Sequence, residues 1–307
     1  MCTIDKLKGA VATVITPFTE DGGISEAELR KEIRYLVSTK IRGLFPLAST
    51  GEYPFMSMAV KEQVIRITAE ENHGVKTLIC GACGENLTNA MALVALAHKY
   101  GYDAVVACPP YYYPQSQPEI YEFYTRLANN PYGMKVILYN VPFFTSEVSL
   151  DTVAKLVNNK NIVGIKDSSG NMKRIRHTVD LKGDRKDFIV YSGTDDCLLP
   201  ALVAGCEGSM TAMGCLLPEA IAEIYENFEN GNLARAMEVQ KSILPILRQA
   251  DSLSFPLGYK LIAKLRGMDI GFVHQLCDPA AVAEVEKNEK TMLDGLLQMY
   301  HCADAEM

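Results

Sequence analysis

The chain has 307 residues, of which 48% are hydrophobic and 22% charged, so it is long enough for one large core and ordinary in composition for a globular protein. Its net charge is −7 and no dense block of basic residues occurs, which argues against nucleic acid as a partner. No apolar run approaches the roughly 18 residues of a membrane helix, and the N-terminus lacks the apolar segment of a signal peptide. We therefore expect a cytoplasmic protein that binds neither a membrane nor nucleic acid.

Nine cysteines, an odd number, are scattered along the chain. They are Cys2, Cys80, Cys83, Cys108, Cys197, Cys206, Cys215, Cys277 and Cys302. Cys80 and Cys83 have the CxxC spacing, but no second CxxC or HxxxH follows that would complete a zinc site. Most of the cysteines lie in apolar runs, where a free cysteine behaves as a small hydrophobe. We favour core packing over a metal or redox role for the pair, and we expect neither a metal nor a cofactor.

Eight short apolar runs alternate with longer helical patterns along the chain. The runs span residues 9–18, 43–49, 76–83, 104–110, 135–141, 162–168, 188–194 and 208–213. They are mostly apolar rather than alternating, which is typical of strands buried on both faces of a parallel sheet. Helical patterns fill the spaces between them, for example over residues 25–40, 86–101, 149–159 and 217–231. The first begins at Ser25, a favourable N-cap residue, and the second ends at Gly101, a helix stop signal.

Eight strands, each followed by a helix, predict an α/β fold that closes into a (β/α)8 TIM barrel over residues 1–231. An open doubly wound sheet has the same βα rhythm and is the alternative, but the count of eight favours the barrel. Residues 232–307 contain three further helical patterns, and Pro245 is expected to kink the first of them. No low-complexity linker separates the two parts. We therefore expect a C-terminal helical extension packed on the barrel.

The catalytic groups of such a barrel lie where the strands end and the βα loops begin. The segments at the expected strand ends are ASTGE (48–52), PPYYYP (109–114), YNVP (139–142), KDSSG (166–170), SGTDD (192–196) and GSMTA (208–212). They contain one lysine, several hydroxyls and tyrosines, and no cluster of His, Asp and Glu suited to a catalytic metal. Each segment also has a structural interpretation: a turn for YNVP, a helix cap for STGE, loop packing for PPYYYP, and a solvated helix N-terminus for TDD.

Lys166 directly follows the apolar run from Ile162 to Ile165, so it either reaches out to water or points inward as an amine. An apolar pocket disfavours the ammonium form of a lysine and lowers its pKa. The free amine attacks a carbonyl to form a Schiff base, and the iminium allows a carbon–carbon bond next to the carbonyl to break or form. A tyrosine transfers the protons that these steps need, and the hydroxyl and N–H groups of STGE suit a carboxylate. The combination of these groups at one rim favours the chemical role for Lys166.

The segments STGE, PPYYYP, YNVP and GIKDSSG, in this order and spacing, resemble those of the dihydrodipicolinate synthase and N-acetylneuraminate lyase family. The resemblance implies a (β/α)8 barrel, a homotetramer that is a dimer of dimers, and a Schiff base with pyruvate or a related 2-oxo acid. It implies that Lys166 is the Schiff-base residue and Tyr139 the general acid/base. It further implies that Ser49 and Thr50 hold the carboxylate, that Thr50 also relays protons, and that Tyr112 reaches into the site of a neighbouring subunit.

Two departures within the resemblance bear on the second substrate, an aldehyde. Members that make dihydrodipicolinate resemble YNVPxRTG, with an arginine for the carboxylate of the second substrate, whereas this chain has Phe144 at that position. The segments PYYYPQS and SGTDD are more similar to lyases that act on sugar acids, in which residues after the lysine and in the loop after strand 7 bind hydroxyls. The matching positions are Ser168, Gly193, Asp195 and Asp196.

The first hypothesis is therefore a metal-independent Schiff-base aldolase that cleaves a 2-oxo-3-deoxy sugar acid or N-acetylneuraminate into pyruvate and an aldehyde. The second is dihydrodipicolinate (4-hydroxy-tetrahydrodipicolinate) synthase, which Phe144 makes less favourable. The third is a non-catalytic sensor of 2-oxo acids on the same scaffold, which the presence of both Lys166 and Tyr139 argues against. Borohydride reduction with pyruvate, followed by a turnover assay, separates the third hypothesis from the others, because a sensor would trap pyruvate without turning it over.

Overall fold

The computed structural model describes residues 4–300, so Cys2 and Cys302 lie outside the described residues. Eight strands hydrogen-bond in chain order and form a closed barrel, which confirms the predicted (β/α)8 fold over the open sheet. The strands are β1 (Gly9–Thr13), β2 (Gly43–Phe45), β3 (Thr77–Gly81), β4 (Ala104–Ala107), β5 (Lys135–Asn140), β6 (Ile162–Asp167), β7 (Ile189–Ser192) and β8 (Gly208–Thr211).

Helices follow the strands and continue beyond the barrel. They are α1 (Ile4–Leu7), α2 (Glu26–Ser38), α3 (Met58–Asn72), α4 (Leu87–Lys99), α5 (Gln117–Ala128), α6 (Leu150–Leu156), α7 (Met172–Leu181), α8 (Leu198–Val203), α9 (Met213–Leu216), α10 (Pro218–Glu229), α11 (Leu233–Ala250), α12 (Leu257–Leu265) and α13 (Pro279–Met299). Within residues 4–300, none of them combines the length and the apolar composition needed to cross a membrane.

The barrel closes through β1. The backbone N–H of Gly9 donates to the carbonyl of Glu207, just before β8, at 2.8 Å, and the N–H of Arg42, just before β2, donates to the carbonyl of Ala10 at 2.9 Å. From β2 to β8, each neighbouring pair of strands is parallel. These strands therefore present their carboxyl ends, and the loops that carry candidate site residues, at one rim.

Tyr191 of β7 is fully buried, and two glycines of neighbouring strands make room for its ring. A Cβ at Gly164 of β6 would lie 3.3 Å from Tyr191 Cε2, and a Cβ at Gly208 of β8 would lie 2.6 Å from Tyr191 Cδ1. The tyrosine hydroxyl donates to the carbonyl of Leu7 at 2.7 Å. Gly208 is thus explained by the ring of Tyr191, and Gly164 chiefly by the backbone of β7, because its Cβ would lie 2.5 Å from the carbonyl oxygen of Ile189.

The eight predicted strands all occur, but each ends earlier than the apolar run that predicted it. The predicted second strand reached Ser49, whereas β2 ends at Phe45. Leu47 has a left-handed backbone with a φ of 57°, a conformation outside the β region. In the same way β7 ends at Ser192. The segments named at the strand ends therefore lie largely in the βα loops, where side chains are free to converge on a ligand.

The helix signals are only partly reflected in the structure. Ser25 is the N-cap residue of α2, but its side chain forms no capping hydrogen bond. Gly101 follows α4 with a left-handed φ of 75°, as expected for a helix stop signal. Pro245 lies inside helix α11, and the kink expected there stays a prediction.

Contacts between Cα atoms group the chain into two compact units. The first comprises the residues up to Val11, Arg42–Phe45 and Lys76–Thr211, and contains most of the barrel strands with α4 to α8. The second comprises Ala12–Ile41, Pro46–Val75 and the residues from Ala212 onwards; within it α2 packs against α3, and α11 packs against α10, α12 and α13. The predicted domain boundary at residue 231 stays a prediction.

Candidate active site

Lys166 and Tyr139 lie side by side near the carboxyl ends of β6 and β5. Parallel pairing places the two residues opposite each other in register. The Lys166 Nζ atom lies 4.2 Å from the centre of the Tyr139 ring, and each residue is 3% exposed. The two residues expected to carry the chemistry are therefore adjacent and enclosed by protein.

The amine of Lys166 faces aromatic rings. Besides Tyr139, the ring of Phe45 at the end of β2 has its centre 5.1 Å from Nζ. No residue that the structure describes forms a hydrogen bond or an ion pair with this amine. Lys260 is also buried but differs, because its Nζ donates to Glu52 Oε2 at 2.7 Å. The two buried lysines therefore have different surroundings, since Lys166 lies beside aromatic rings and Lys260 forms a buried ion pair.

Behind this pair lies a buried carboxylate. Successive strand side chains alternate between the two faces of the sheet, so Asn140 and Asp167 point away from the face of Tyr139 and Lys166. Asp167 is fully buried and accepts hydrogen bonds from Asn140 Nδ2 at 3.1 Å and from Arg174 Nε at 2.7 Å. The carboxylate therefore ties the ends of β5 and β6 to the first turn of α7.

Ser168 and Gly193 lie beside Lys166. The Ser168 hydroxyl donates to the carbonyl of Gly193 at 3.2 Å, and the N–H of Gly193 donates to the carbonyl of Asp167 at 2.8 Å. A Cβ on Gly193 would lie 2.0 Å from Ser168 Oγ and 3.0 Å from Lys166 Cε. The loop after β7 therefore approaches the lysine side chain so closely that a side chain at residue 193 would disturb it.

Asp195 and Asp196 follow in the same loop but have different surroundings. Asp195 is 6% exposed, and its carbonyl accepts the N–H of Leu198 at 3.2 Å at the start of α8. Asp196 is exposed. The two acidic residues expected to bind substrate hydroxyls therefore do not share one environment.

Tyr112 and Phe144 lie in exposed loops after β4 and β5. Tyr112 is 86% exposed and has a left-handed φ of 80°, and its ring packs edge-on against Tyr113 at a centre-to-centre distance of 4.9 Å. Phe144 is 55% exposed, and its N–H donates to the carbonyl of Val141 at 3.0 Å, which closes a turn. Neither residue belongs to the buried group around Lys166.

Ser49 and Thr50 belong to the second unit, in the loop that follows β2. Thr50 is 5% exposed. Glu52 has a left-handed φ of 57°, and its N–H donates to the carbonyl of Ser49 at 3.0 Å. Its buried carboxylate accepts hydrogen bonds from Lys260 Nζ at 2.7 Å and Gln275 Nε2 at 2.9 Å. Glu52 stands at the N-cap position of a short 3-10 helix, Tyr53–Phe55, but its side chain makes no capping hydrogen bond and instead holds the loop in shape.

Cys80 and Cys83 are buried, and burial raises the pKa of the Cys80 thiol. This is the environment expected for packing cysteines. Across residues 4–300, no three His, Cys, Asp or Glu side chains are grouped so that they could hold a metal ion.

Sequence reasoning missed the ion pair of Asp167 with Arg174. One signal was available, because Asp167 follows Lys166 within a strand and must point to the opposite face. A buried carboxylate there needs a cation, and Arg174 lies in the first turn of the next helix. No comparable signal marks Phe45 or Lys260, whose contacts depend on how distant segments meet.

Comparisons with known proteins show which family this chain resembles in sequence and in fold. The model of the dihydrodipicolinate synthetase family matches residues 6–299. The 4-hydroxy-tetrahydrodipicolinate synthase of Methanospirillum hungatei is 30% identical over 288 residues, which cover 93% of this chain and 98% of that protein. A prophage protein of the dihydrodipicolinic acid synthase family from Escherichia coli K12, solved in complex with pyruvate, is similar with a TM-score of 0.86 and 25% identity, covering 96% of this chain and 99% of that one. A catalytic lysine mutant of the sialic acid aldolase from Ruminococcus gnavus has a TM-score of 0.86 at 20% identity, covering 96% of this chain and 99% of that one. At this identity the similarity shows the fold alone.

Proposed function

Because this chain belongs to the dihydrodipicolinate synthetase family, whose members are carbon–carbon lyases or synthases that use pyruvate and a Schiff-base lysine, we propose that Lys166 forms a Schiff base with pyruvate or a related 2-oxo acid. The observation that carries the proposal is the buried amine of Lys166, which lies 4.2 Å from the centre of the Tyr139 ring. The pyruvate bound to the Escherichia coli relative supports this choice of 2-oxo acid.

The proposed reaction begins when the Lys166 amine attacks the 2-oxo carbon; uptake of one proton and loss of one water molecule then give an iminium. Removal of a proton from the methyl carbon gives an enamine, which attacks the aldehyde carbon to form the new carbon–carbon bond and restore the iminium, while the aldehyde oxygen takes up a proton. Water then hydrolyses the Schiff base and releases the product; the same steps in reverse cleave it. Tyr139 is the group that accepts and returns protons.

The carboxylate of the 2-oxo acid is assigned in this proposal to the loop after β2. Ser49 and Thr50 supply its hydroxyls, and Thr50 also relays protons. Two observations support the assignment: the loop follows a barrel strand, and it is held in shape by the buried carboxylate of Glu52. Ser168 and Gly193 border the lysine and are proposed to contact the bound 2-oxo acid.

For the second substrate, the comparisons support the synthase hypothesis better than the sugar-acid lyase. The Methanospirillum hungatei relative bears the name of the synthase at 30% identity. The sialic acid aldolase, at 20% identity, contributes the fold and no argument about substrate. We therefore place condensation of pyruvate with aspartate semialdehyde first.

Cleavage of a 2-oxo-3-deoxy sugar acid or N-acetylneuraminate is the second candidate, and Phe144 is the observation that favours it. An apolar ring cannot pair with the carboxylate of aspartate semialdehyde, whereas an arginine would make a bidentate contact. Asp195 and Asp196 add carboxylates that accept hydrogen bonds from hydroxyls and repel an anionic aldehyde. A neutral, hydroxylated aldehyde suits these residues better than an anionic one.

The lysine is tested by borohydride reduction in the presence of pyruvate. We expect covalent labelling of Lys166, and loss of both labelling and activity in Lys166→Ala with an unchanged circular dichroism spectrum. Lys264→Arg is the matched control, since this half-exposed lysine pairs with Glu286 at the surface, and the variant should be labelled like the wild type. An active Lys166→Ala variant with the label on a different lysine would overturn the proposal. Trapping without turnover of any aldehyde or sugar acid would instead support the sensor hypothesis.

The second substrate is tested by comparing kcat/KM for condensation with aspartate semialdehyde and for cleavage of sugar acids. Phe144→Arg provides a matched variant. If residue 144 faces the second substrate, the arginine should raise kcat/KM for aspartate semialdehyde and lower it for sugar acids. Efficient condensation by the wild type, with no cleavage of any sugar acid, would settle the choice in favour of the synthase.

A homotetramer built as a dimer of dimers is part of the same proposal, with Tyr112 completing the site of a neighbouring subunit. Its support is the exposure of two neighbouring large aromatic residues, Tyr112 at 86% and Tyr113 at 72%. Tyr112→Phe should lower turnover far more than pyruvate binding. A fully active monomer at high dilution would contradict this arrangement. The cytoplasmic location stays a prediction.

A further inference from the structure

The loop between β5 and α6, residues 141–149, carries Phe144 and is attached at its far end to the strand that precedes it. The N–H of Val148 donates to Asn140 Oδ1 at 3.0 Å. Asn140 in turn donates through Nδ2 to Asp167, the residue that follows Lys166. The return of the loop is thus connected to the two strands that carry Tyr139 and Lys166.

Arg174 of α7 holds the same part of the loop with a single guanidinium group. Its Nε donates to Asp167 Oδ2 at 2.7 Å, its Nη1 to Glu147 Oε1 at 3.0 Å, and its Nη2 to the carbonyl of Val148. The Arg174 side chain is 7% exposed, so its bonds to Asp167 and to Val148 are shielded from water, whereas Glu147 is half-exposed. The planar fork of arginine is what allows one side chain to reach a strand end and a loop in fixed directions.

Gln117, in the first turn of α5, holds the loop from the opposite side. Its Nε2 donates to the carbonyl of Glu147 at 2.7 Å, and its Oε1 accepts the N–H of Ser149 at 3.0 Å. The loop is therefore fixed at residues 147–149, while Phe143 and Phe144 at its tip are 74% and 55% exposed. The position of the tip depends on where the fixed end is held.

We propose that Arg174 is a positioning residue that sets the loop carrying Phe144 relative to Lys166 and so determines reactivity with the second substrate. The inference rests on the proposed function, because it assumes that pyruvate reacts at Lys166 and the second substrate meets the loop after β5. Arg174 bonds to Asp167, Glu147 and Val148 rather than to Lys166 or Tyr139. Its replacement should therefore leave Schiff-base formation largely intact and impair the step that involves the aldehyde.

Arg174→Lys tests the inference, because lysine keeps a cation for Asp167 but lacks the fork that also reaches Glu147 and Val148. The pyruvate KM and the borohydride labelling of Lys166 should stay within about threefold of the wild type. The kcat/KM for the aldehyde should fall about tenfold to a hundredfold, since displacing reacting groups by about 1 Å costs up to about 10²-fold. The assay uses aspartate semialdehyde, or N-acetylneuraminate in the cleavage direction, whichever the wild type turns over.

Arg176→Lys is the matched control, on the same helix but paired at the surface with Asp180, and it should leave both measurements unchanged. Gln117→Leu loosens the loop from its other side. It should likewise lower kcat/KM for the aldehyde while leaving the pyruvate KM and the labelling of Lys166 unchanged, so the test remains decisive if Arg174→Lys does not fold. Failure of the wild type to trap pyruvate overturns the proposed function together with this inference. If the wild type traps pyruvate normally, two results overturn the inference alone. Either both variants keep the wild-type kcat/KM for the aldehyde, or both lose pyruvate trapping as much as they lose reaction with the aldehyde.

Discussion

Replacing Lys260 by methionine should destabilise the protein by about 3–5 kcal/mol, because it leaves the carboxylate of Glu52 buried without its cation. The two side chains are 0% and 1% exposed, and their 2.7 Å contact joins residues 208 positions apart. Methionine fills nearly the same volume, so the loss of packing is small. The Gln275 amide, 2.9 Å from Glu52 Oε1, is neutral and replaces only part of the lost interaction.

The same substitution should also affect the proposed reaction. Glu52 holds the loop of Ser49 and Thr50, which we assign to the carboxylate of the 2-oxo acid. A loosened loop should raise the KM for pyruvate, whereas an enzyme that is merely less stable would lose active molecules at an unchanged KM. The two effects are separated by measuring KM well below the unfolding temperature.

The stability is measured as the urea midpoint, followed by circular dichroism at constant pH. Glu52→Gln/Lys260→Met removes both charges and should recover most of the loss, because the penalty comes from the unpaired charge. Lys264→Met is the matched control: its lysine is on the same helix, is 51% exposed and pairs with Glu286, and its loss should cost less than about 1 kcal/mol. A Lys260→Met variant as stable as this control, or a double variant no better than the single one, would refute the reasoning.

Three further predictions concern single groups. Tyr139→Phe should reduce turnover by about 10²–10⁴-fold while borohydride still traps pyruvate on Lys166, and turnover within tenfold of the wild type would remove Tyr139 from proton transfer. Gly193→Ala should lower the free energy of unfolding, measured by urea titration, by about 1–3 kcal/mol and should slow the trapping of pyruvate, because its Cβ would lie 3.0 Å from Lys166 Cε. An unchanged trapping rate would show that the loop moves aside without displacing Lys166. Burial raises the pKa of Glu32 from 4.5 to about 8, so the folded protein keeps a proton that the unfolded chain loses. The contribution of Glu32 to the free energy of unfolding is therefore complete below pH 4.5. It falls by about 1.4 kcal/mol per pH unit as the pH rises from 4.5, and is lost once the pH passes about 8. Glu32→Gln keeps an acceptor for the N–H of Ile15 and should flatten that dependence, so identical pH profiles for the two proteins would contradict the burial argument.

Much of the fold and the centre of the site could be predicted from the sequence because both depend on local pattern. Short apolar runs and amphipathic segments alternate eight times, and this number of βα units closes a barrel. Lys166 and Tyr139 each stand at the end of such a run, so the topology alone brings them to the same rim. Strand boundaries were predicted less well, since backbone turns such as that at Leu47 leave little trace in hydrophobicity.

What the tertiary structure alone decided is which charged groups have partners. The sequence contains many lysines that a motif or a strand end could single out, and only the folded chain pairs Lys260 with Glu52 while leaving Lys166 facing two aromatic rings. The same holds for Arg174, whose three contacts come from a strand end and from a loop on another βα unit. Periodicity fixes the face on which a side chain lies, because it follows from the geometry of one helix or strand. The partner across that face depends on how separate segments meet, and the short-range pattern of the sequence does not contain that information.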